Sequence, residues 1–317
     1  MSRSETHPMS RLAVVVVNYG SSRLLAENLT RVQDELPSAG VVVVDNFTRS
    51  AERDAVTRLA ASRGWSTVLL DENLGFGAGV NAGAAEAWAH GAAEVLLLNP
   101  DASISSVAVE ALRAAVADDR LAIAAPTIRR SDGRHWFDGC DLHLEDGSML
   151  RTSRRGERPG AAREEWLTGA CLLVTREAWE ATGGFDESYF LYWEDVDFSH
   201  RVVRAGGHLH LVRGAVAIHD EGGTQGEAAA HRREKSPTYY YYNVRNRLLY
   251  ASLHLDEDGM RRWLRTAPRA AWEIVLRGGR RQLLHPVRPL GGAVRGLADG
   301  RRLVRGALAD RRTGHVR

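Results

Sequence analysis

Lysine is nearly missing from this chain. Its 317 residues hold 42 basic side chains, and only Lys235 is not arginine. A skew of that kind reads first as compositional bias and only second as function. Cysteine is scarce too. Cys140 and Cys171 lack the spacing of a metal site and are too few for a disulfide framework, so a reduced, cytoplasmic setting is the simplest expectation. The first ten residues lack the apolar core of a secretory signal. No apolar run approaches the ~20 residues of a membrane span. No Phe, Trp or Tyr follows Trp272, so the C-terminal region has no rings on which bases could stack, and nucleic acid is not an expected partner.

Acids are the last scarcity, and a local one. Residues 261–317 carry fifteen arginines against Glu273, Asp299 and Asp310. The net charge of the whole chain is only +2, so the body before this tail is acidic. From 258 the pattern is amphipathic helix with glycine breaks. Arginine-rich helices with Leu, Val and Trp on the other face suit an anionic membrane surface. A solvated tail fits the same pattern. The rest, with 44% apolar and 26% charged residues overall, is ordinary globular composition.

What is present is a rhythm. "RLAVVVVNY" (11–19), "VVVVDN" (41–46), "WSTVLLDEN" (65–73) and "AEVLLLNPD" (93–101) are short apolar runs. Stretches of helical length separate them at 22–36, 50–63 and 78–90. This alternation predicts βαβ units in an α/β fold, with a parallel sheet buried on both faces. The runs end in Asn18, Asp45, Asn73, and Asn99 with Asp101. Ligands of open α/β sheets bind beyond the carboxyl ends of the strands, so these ends predict a lined crevice. From about 126 to 165 the periodicity fails and irregular strands and loops are expected. A strand at 170–174, a helix at 175–182 and a Gly183–Gly184 turn follow. Helices are expected over 194–207, stopped at Gly206, and from Pro237, capped by Ser236.

Several stretches can carry chemistry. Asp45 can accept from a pyrimidine imide or a ribose hydroxyl, or serve as a turn or helix cap. "ENLGFGAGVNAG" (72–83) has four glycines that let backbone approach a ligand, although it is not the dinucleotide fingerprint. Pro100 ends the sheet ladder and leaves Asp101 at a strand mouth. A carboxylate there suits a divalent cation on a diphosphate, or else the N-cap of a following helix. "YFLYWEDVDFSHR" (189–201) sets Glu194, Asp195 and Asp197 among aromatics at a helix start. The helix dipole there favours ionised carboxylates, as a general base requires. His219 ends an apolar run and is either a metal ligand or structural.

In this order, "VVVVNYGSS", "VVVVDN", "NLGFGAGVNAG", "LLLNPDA", "WLTGACLLVTREAWEATGGFDESYFLYWEDVDFSHRVVRAGG", "AIHDEGGT" and "YYNVRNRLL" resemble the family 2 glycosyltransferases of GT-A fold. Within them they resemble the bacterial rhamnosyltransferase-like branch. The resemblance implies a Rossmann-like, mostly parallel sheet flanked by helices. It implies a GT-A domain over 1–257, with a nucleotide-sugar half (about 11–125) and an acceptor and catalytic half (about 126–257). Residues 258–317 are then a basic helical extension. It further implies inverting transfer of a sugar, rhamnose by family likeness, from a nucleotide-diphosphate donor. The acceptor would be a glycan or lipid-linked hydroxyl in cell-surface polysaccharide synthesis. A divalent cation, Mg²⁺ or Mn²⁺, would assist. The basic tail, for its part, allows a cytoplasmic protein peripheral at the inner face of the membrane.

By the same likeness Asp195 is the catalytic base, with Glu194 beside it. Asp101 is the last acid of the metal motif, and His219 helps hold metal or diphosphate. Asp45 holds base or ribose. Asn18, Asn73, Gly75, Asn81 and Asn99 line the donor side, and Arg245, with Asn246, lies near donor phosphates or acceptor. Asn99 stands where the motif's first acid would be, leaving the metal one carboxylate. "NFTRSAERD" replaces the usual Ser-rich turn after Asp45. Two other readings are a sugar-1-phosphate nucleotidylyltransferase and a catalytically silent protein that binds a membrane surface. The first wants a glycine-rich basic loop after the first strand, where "NYGSSRLL" has one glycine.

Overall fold

The computed structural model describes residues 11–219, 235–284 and 287–313. The valine runs 14–17 and 41–44 have stiff, β-branched side chains that favour extended backbone. They form the centre of β1 (Leu12–Asn18) and β2 (Gly40–Asp45), paired in parallel with Asn18 opposite Asp45. β3 (Ser66–Leu69) flanks β2, and β4 (Glu94–Leu98) flanks β1, both in parallel. Beyond Pro100 come β5 (Ala102–Ile104), β6 (Ala122–Arg129) and β7 (His135–Phe137). A small three-stranded sheet holds β8 (Cys140–His143), β9 (Met149–Arg151) and β10 (Arg163–Trp166), and accounts for the irregular stretch. β11 (Cys171–Thr175) and β12 (His208–His219) complete a main sheet ordered β3-β2-β1-β4-β11-β6-β12-β5, with β7 on β6. β11 runs antiparallel to both β4 and β6, so the sheet is mixed beyond its parallel half.

The four glycines of 72–83 prove to have different tasks. Gly75 takes a φ of 92°, and a Cβ on it would meet the Phe190 carbonyl oxygen at 2.3 Å. Gly79 and Gly83 lie inside the helix Phe76–Ala89. A Cβ at Gly83 would meet Val15 and Val44 at 2.5 and 2.7 Å, and one at Gly79 would meet Val17 at 2.9 Å. They let the helix lie flush on β1 and β2, and do not touch a ligand.

Of the expected glycine breaks in the tail, the one at Gly278–Gly279 is present, with Gly279 at a φ of 83°, and those further on are overturned. One unbroken helix runs Val287–Arg312. It packs along the helix Pro237–His254, where Cβ atoms on Gly292, Gly296 and Gly300 would strike Pro237, Tyr241 and Leu248. Close packing there outweighs the low helix propensity of glycine. The intervening helix Glu257–Leu276 buries Met260 and Trp263 completely, and Trp263 stacks on Tyr250 at 5.9 Å between ring centroids. The described part of the basic tail is therefore fastened to the body. No helix among the described residues is long and apolar enough to cross a membrane.

Two glycines of this last helix separate packing from propensity. Gly306 has open space around its Cβ position, whereas a Cβ on Gly296 would meet the Tyr241 oxygen at 2.3 Å. Gly306→Ala should stabilise by about 0.5–1 kcal/mol, and Gly296→Ala should destabilise by about 1–3 kcal/mol. Urea midpoints at unchanged slope measure both.

Candidate active site

The strand ends do gather at one edge. Asn18 is fully buried, its Oδ1 accepts from the Ser21 amide at 3.1 Å, and its Nδ2 has no partner. Asp45 is 1% exposed, and neither a turn nor a helix cap claims it, since the next helix begins after Arg49. Its Oδ2 pairs with Arg53 Nε at 2.8 Å, while Oδ1 stays buried and unpaired. Arg53 also donates to the Leu70 carbonyl and lies over the Phe47 ring at 4.6 Å. Sequence reasoning missed Arg53, although its place on the helix after "DNF" was a signal. Next to Asp45, Asn46 accepts from the Leu74 amide at 2.9 Å and donates to the Gly75 carbonyl at 2.9 Å. Asn73 accepts from the Gly75 amide at 3.0 Å. Asn81 uses its carboxamide within the fold, on the Phe185 backbone and Glu187. It positions that loop through both groups of the carboxamide.

Gly75 leads to the aromatic segment. The amide of Phe76 donates to the Phe190 carbonyl at 2.7 Å. Phe190, Tyr192 and Trp193 take φ values of 59°, 65° and 78°, each a strained conformation costing about 1–3 kcal/mol. Asn246, wholly buried, restrains them. Its Nδ2 reaches the carbonyls of Tyr189, Leu191 and Tyr192 at 2.8, 2.9 and 2.8 Å. Arg245 reinforces this by donating to Asn246 Oδ1 at 2.6 Å and to the Ser188 carbonyl at 3.0 Å.

The helix Glu194–Arg204 begins directly after this segment. Asp195 accepts from the amides of Gly169 at 3.1 Å and Val196 at 2.9 Å. Burial nevertheless raises its pKa to about 6, against the lowering effect of these donors. Burial, with the Asp195 charge adding to it, drives Glu194 well above the ordinary carboxylate range, and its Oε2 has no partner. The helix dipole favoured ionised acids here, but desolvation outweighs it at Glu194 and Asp195. Asp197 goes the other way. Burial would raise it, but His254 at 2.6 Å and Arg201 at 2.7 Å leave it below its usual value.

The metal candidates also meet. β12 pairs with β5, setting His219 opposite Ala102. His219 Nε2 lies 3.0 Å from Asp101 Oδ1 and 3.4 Å from Asn99 Nδ2, and Nδ1 is buried without a partner. Trp136 closes the edge of the imidazole at 4.5 Å between centroids. Asp101 is not the N-cap of the next helix, because Ser105 holds that position. Among the described residues no cluster of three or more His, Cys, Asp or Glu could hold a metal. One carboxylate and one imidazole still fit a cation that takes its remaining ligands from phosphate and water, as Mn²⁺ or Mg²⁺ does. Asn99 connects the two regions. Its amide donates to the Ala170 carbonyl at 2.9 Å, one residue from the Gly169 amide that holds Asp195.

The sequence profile of the "Glycosyl transferase family group 2" matches residues 95–285. This chain is a family 2 glycosyltransferase. It is 30% identical over 262 residues to the N-acetylglucosaminyl-diphospho-decaprenol L-rhamnosyltransferase of Mycobacterium tuberculosis (strain CDC 1551), covering 73% of this chain and 83% of that one. The dTDP-rhamnosyl transferase RfbF of Shigella flexneri is 24% identical over 76% of this chain and 79% of its own. Among solved structures, the mannosyltransferase PcManGT from Pyrobaculum calidifontis, in complex with GDP-Man and Mn²⁺, superposes with a TM-score of 0.51. Its identity is 14%, over 96% of this chain and 88% of that one. That likeness speaks for the fold alone, which is the GT-A glycosyltransferase fold. Glycosyl transfer thus displaces the nucleotidylyltransferase reading.

The charge state of Glu194 can be read directly. Its side chain should be a neutral acid at pH 7, since burial raises its pKa. Infrared difference spectra at pH 7 should show a protonated carboxylic C=O band that Glu194→Gln removes. An unchanged band would place the proton elsewhere.

Proposed function

We propose that this glycosyltransferase transfers L-rhamnose, with inversion, from a nucleoside diphosphate, dTDP by likeness, to a lipid-linked glycan hydroxyl in cell-surface polysaccharide synthesis. Both relatives are rhamnosyltransferases, which supports the sugar, and the lipid-linked acceptor of the mycobacterial one supports the acceptor. The observation that carries the mechanism is Asp195, held by two backbone amides at the crevice with its pKa raised to about 6. A base with a pKa just below working pH is ionised and still basic enough to take a proton.

On this reading residues from about 11 to 125 form the donor half, about 126 to 257 the acceptor half, and 258–317 a basic extension. The free Oδ1 of Asp45 accepts from base or ribose, with Asn18 and Asn73 beside it and Phe47 as a wall. The acceptor hydroxyl attacks C1 and gives its proton to Asp195. The bond from C1 to the diphosphate oxygen breaks on the opposite face, so the anomeric centre inverts in one displacement. Glu194, kept neutral, leaves Asp195 as the only charge of the pair. Asp101 and His219 would hold a divalent cation, which supplies charge neutralisation to the departing diphosphate.

The assignment separates two acids. Asp195→Asn should bind donor about as well as wild type and lose roughly 10²–10⁴-fold in kcat. Asp101→Asn should lose donor affinity as well as rate, with partial recovery in excess Mn²⁺, and chelator should abolish wild-type transfer. In wild type, kcat should fall as pH drops through about 6, because protonated Asp195 cannot accept a proton. Calorimetric donor binding beside turnover decides: wild-type turnover in Asp195→Asn, or an intact rate in chelator, removes the respective role.

The acceptor reading also places the protein at a membrane surface. Trp272, Leu284, Val287 and Val294 are exposed at 47%, 78%, 83% and 63% along the basic extension. Leu284→Glu with Val287→Glu should reduce co-sedimentation with anionic vesicles severalfold without changing donor binding. Equal sedimentation at low and moderate salt would refute it.

A further inference from the structure

A cavity of about 240 Å³ lies between the turn joining β8 to β9 and the helices Pro237–His254 and Glu257–Leu276. Arg158, Arg247, Arg269 and Arg277 line it, with Asp146 and Glu273 as its carboxylates. Those two acids already have partners. Asp146 Oδ2 meets Arg158 at 3.2 Å, and Glu273 Oε1 meets Arg269 at 2.9 Å. Arg247 and Arg277 have no ion-pair partner among the described residues.

Arg247 is the unusual one, being only 2% exposed. Its donors reach neutral oxygens alone: the Asp146 carbonyl, Thr266 Oγ1 at 3.0 Å and the Trp263 carbonyl at 3.3 Å. Its Nε is buried without a partner, and the guanidinium lies over the Trp263 ring at 4.6 Å. Burial lowers its pKa to about 10, so it is still a cation at neutral pH. The nearest carboxylates, Asp146 and Glu273, act on it only at a distance and are each paired to another arginine. A buried cation without a direct partner is costly, and a bound anion relieves that cost. Two unpaired guanidinium groups, one buried and one exposed, suit phosphate oxygens, which they can bind through paired donors.

The position tells which phosphate. Trp193 also lines the cavity, and the next two residues are Glu194 and Asp195. At ~3.8 Å between successive Cα atoms, only two peptide units separate the backbone of this wall residue from that of the proposed base. The donor diphosphate, by contrast, belongs with Asp101 and His219 at the strand ends.

We propose that this cavity binds the diphosphate ester by which the accepting sugar is joined to its lipid, with Arg277 at the entrance and Arg247 at the floor. This rests on the glycosyl-transfer reading above and adds a second, separate phosphate site to it. Trp272, exposed on the same helix next to Glu273, then faces the side from which the lipid enters.

The test compares two acceptors on the full chain: N-acetylglucosaminyl farnesyl diphosphate and the farnesyl N-acetylglucosaminide that lacks phosphate. Arg277→Glu should raise KM at least tenfold for the diphosphate acceptor only, with KM for dTDP-rhamnose unchanged. Arg158→Ala should shift it in the same direction. Arg305→Glu, an equal charge change at the exposed far end of the tail, should not. Equal effects on both acceptors, or none, would overturn the proposal. Inorganic pyrophosphate titrated calorimetrically into the same variants keeps the site testable apart from turnover. A tenfold weaker binding in Arg277→Glu, with Arg158→Ala shifted in the same direction and Arg305→Glu unchanged, would uphold an anion site even if no rhamnosyl transfer were found. Pyrophosphate binding indifferent to Arg277→Glu would overturn it, since the free anion would then sit elsewhere.

Discussion

One carboxamide governs the geometry of this site. Asn246 takes three consecutive-segment carbonyls on its Nδ2 and so holds Phe190, Tyr192 and Trp193 in left-handed backbone that none of them would adopt alone. Without that restraint the segment relaxes, and the helix that starts at Glu194 loses its entry angle. The same segment offers the Phe190 carbonyl to the amide of Phe76, and a side chain at Gly75 would forbid that approach. Asn46 fixes Gly75 from the other side. Strand ends, glycine turn and proposed base are thus joined through two buried carboxamides and one backbone hydrogen bond.

Three acids at one helix start meet three different fates, and neighbours decide each. Asp197 finds His254 and Arg201 and keeps its charge. Glu194 finds nothing for Oε2, and burial beside the Asp195 charge shifts it towards the neutral acid. Asp195 falls between, with two amides against burial. A single dipole argument treats them alike, because it knows position along the helix and not what covers each carboxylate.

The strands were legible because valine runs have few other uses, and the cap at Ser236 because a hydroxyl before a helix acts locally; the cap at Ser105 was not, Asp101 having been the candidate there. The order of polar strand ends was legible for the same reason. Gly79 and Gly83 were misread: a glycine facing a ligand and one facing a valine look identical in sequence. So were Gly292, Gly296 and Gly300, whose spacing of four along one helix was the available signal. Trp136 and the clamping role of Asn246 depend on partners far along the chain, and local pattern carries no trace of them. The antiparallel insertion of β11 between β4 and β6 is likewise a tertiary fact.

The placement of Asn246 has a consequence for synthesis. The chain is made from its N-terminus, and the nucleotide-side strands can pair long before residue 246 exists. The clamp, the buried Trp263 and the glycine-seamed final helix all come afterwards. Until they dock, the segment before Asp195 has nothing to hold its strained backbone, so a nascent chain lacks an aligned base. The alignment of the proposed base therefore comes only with the last helices.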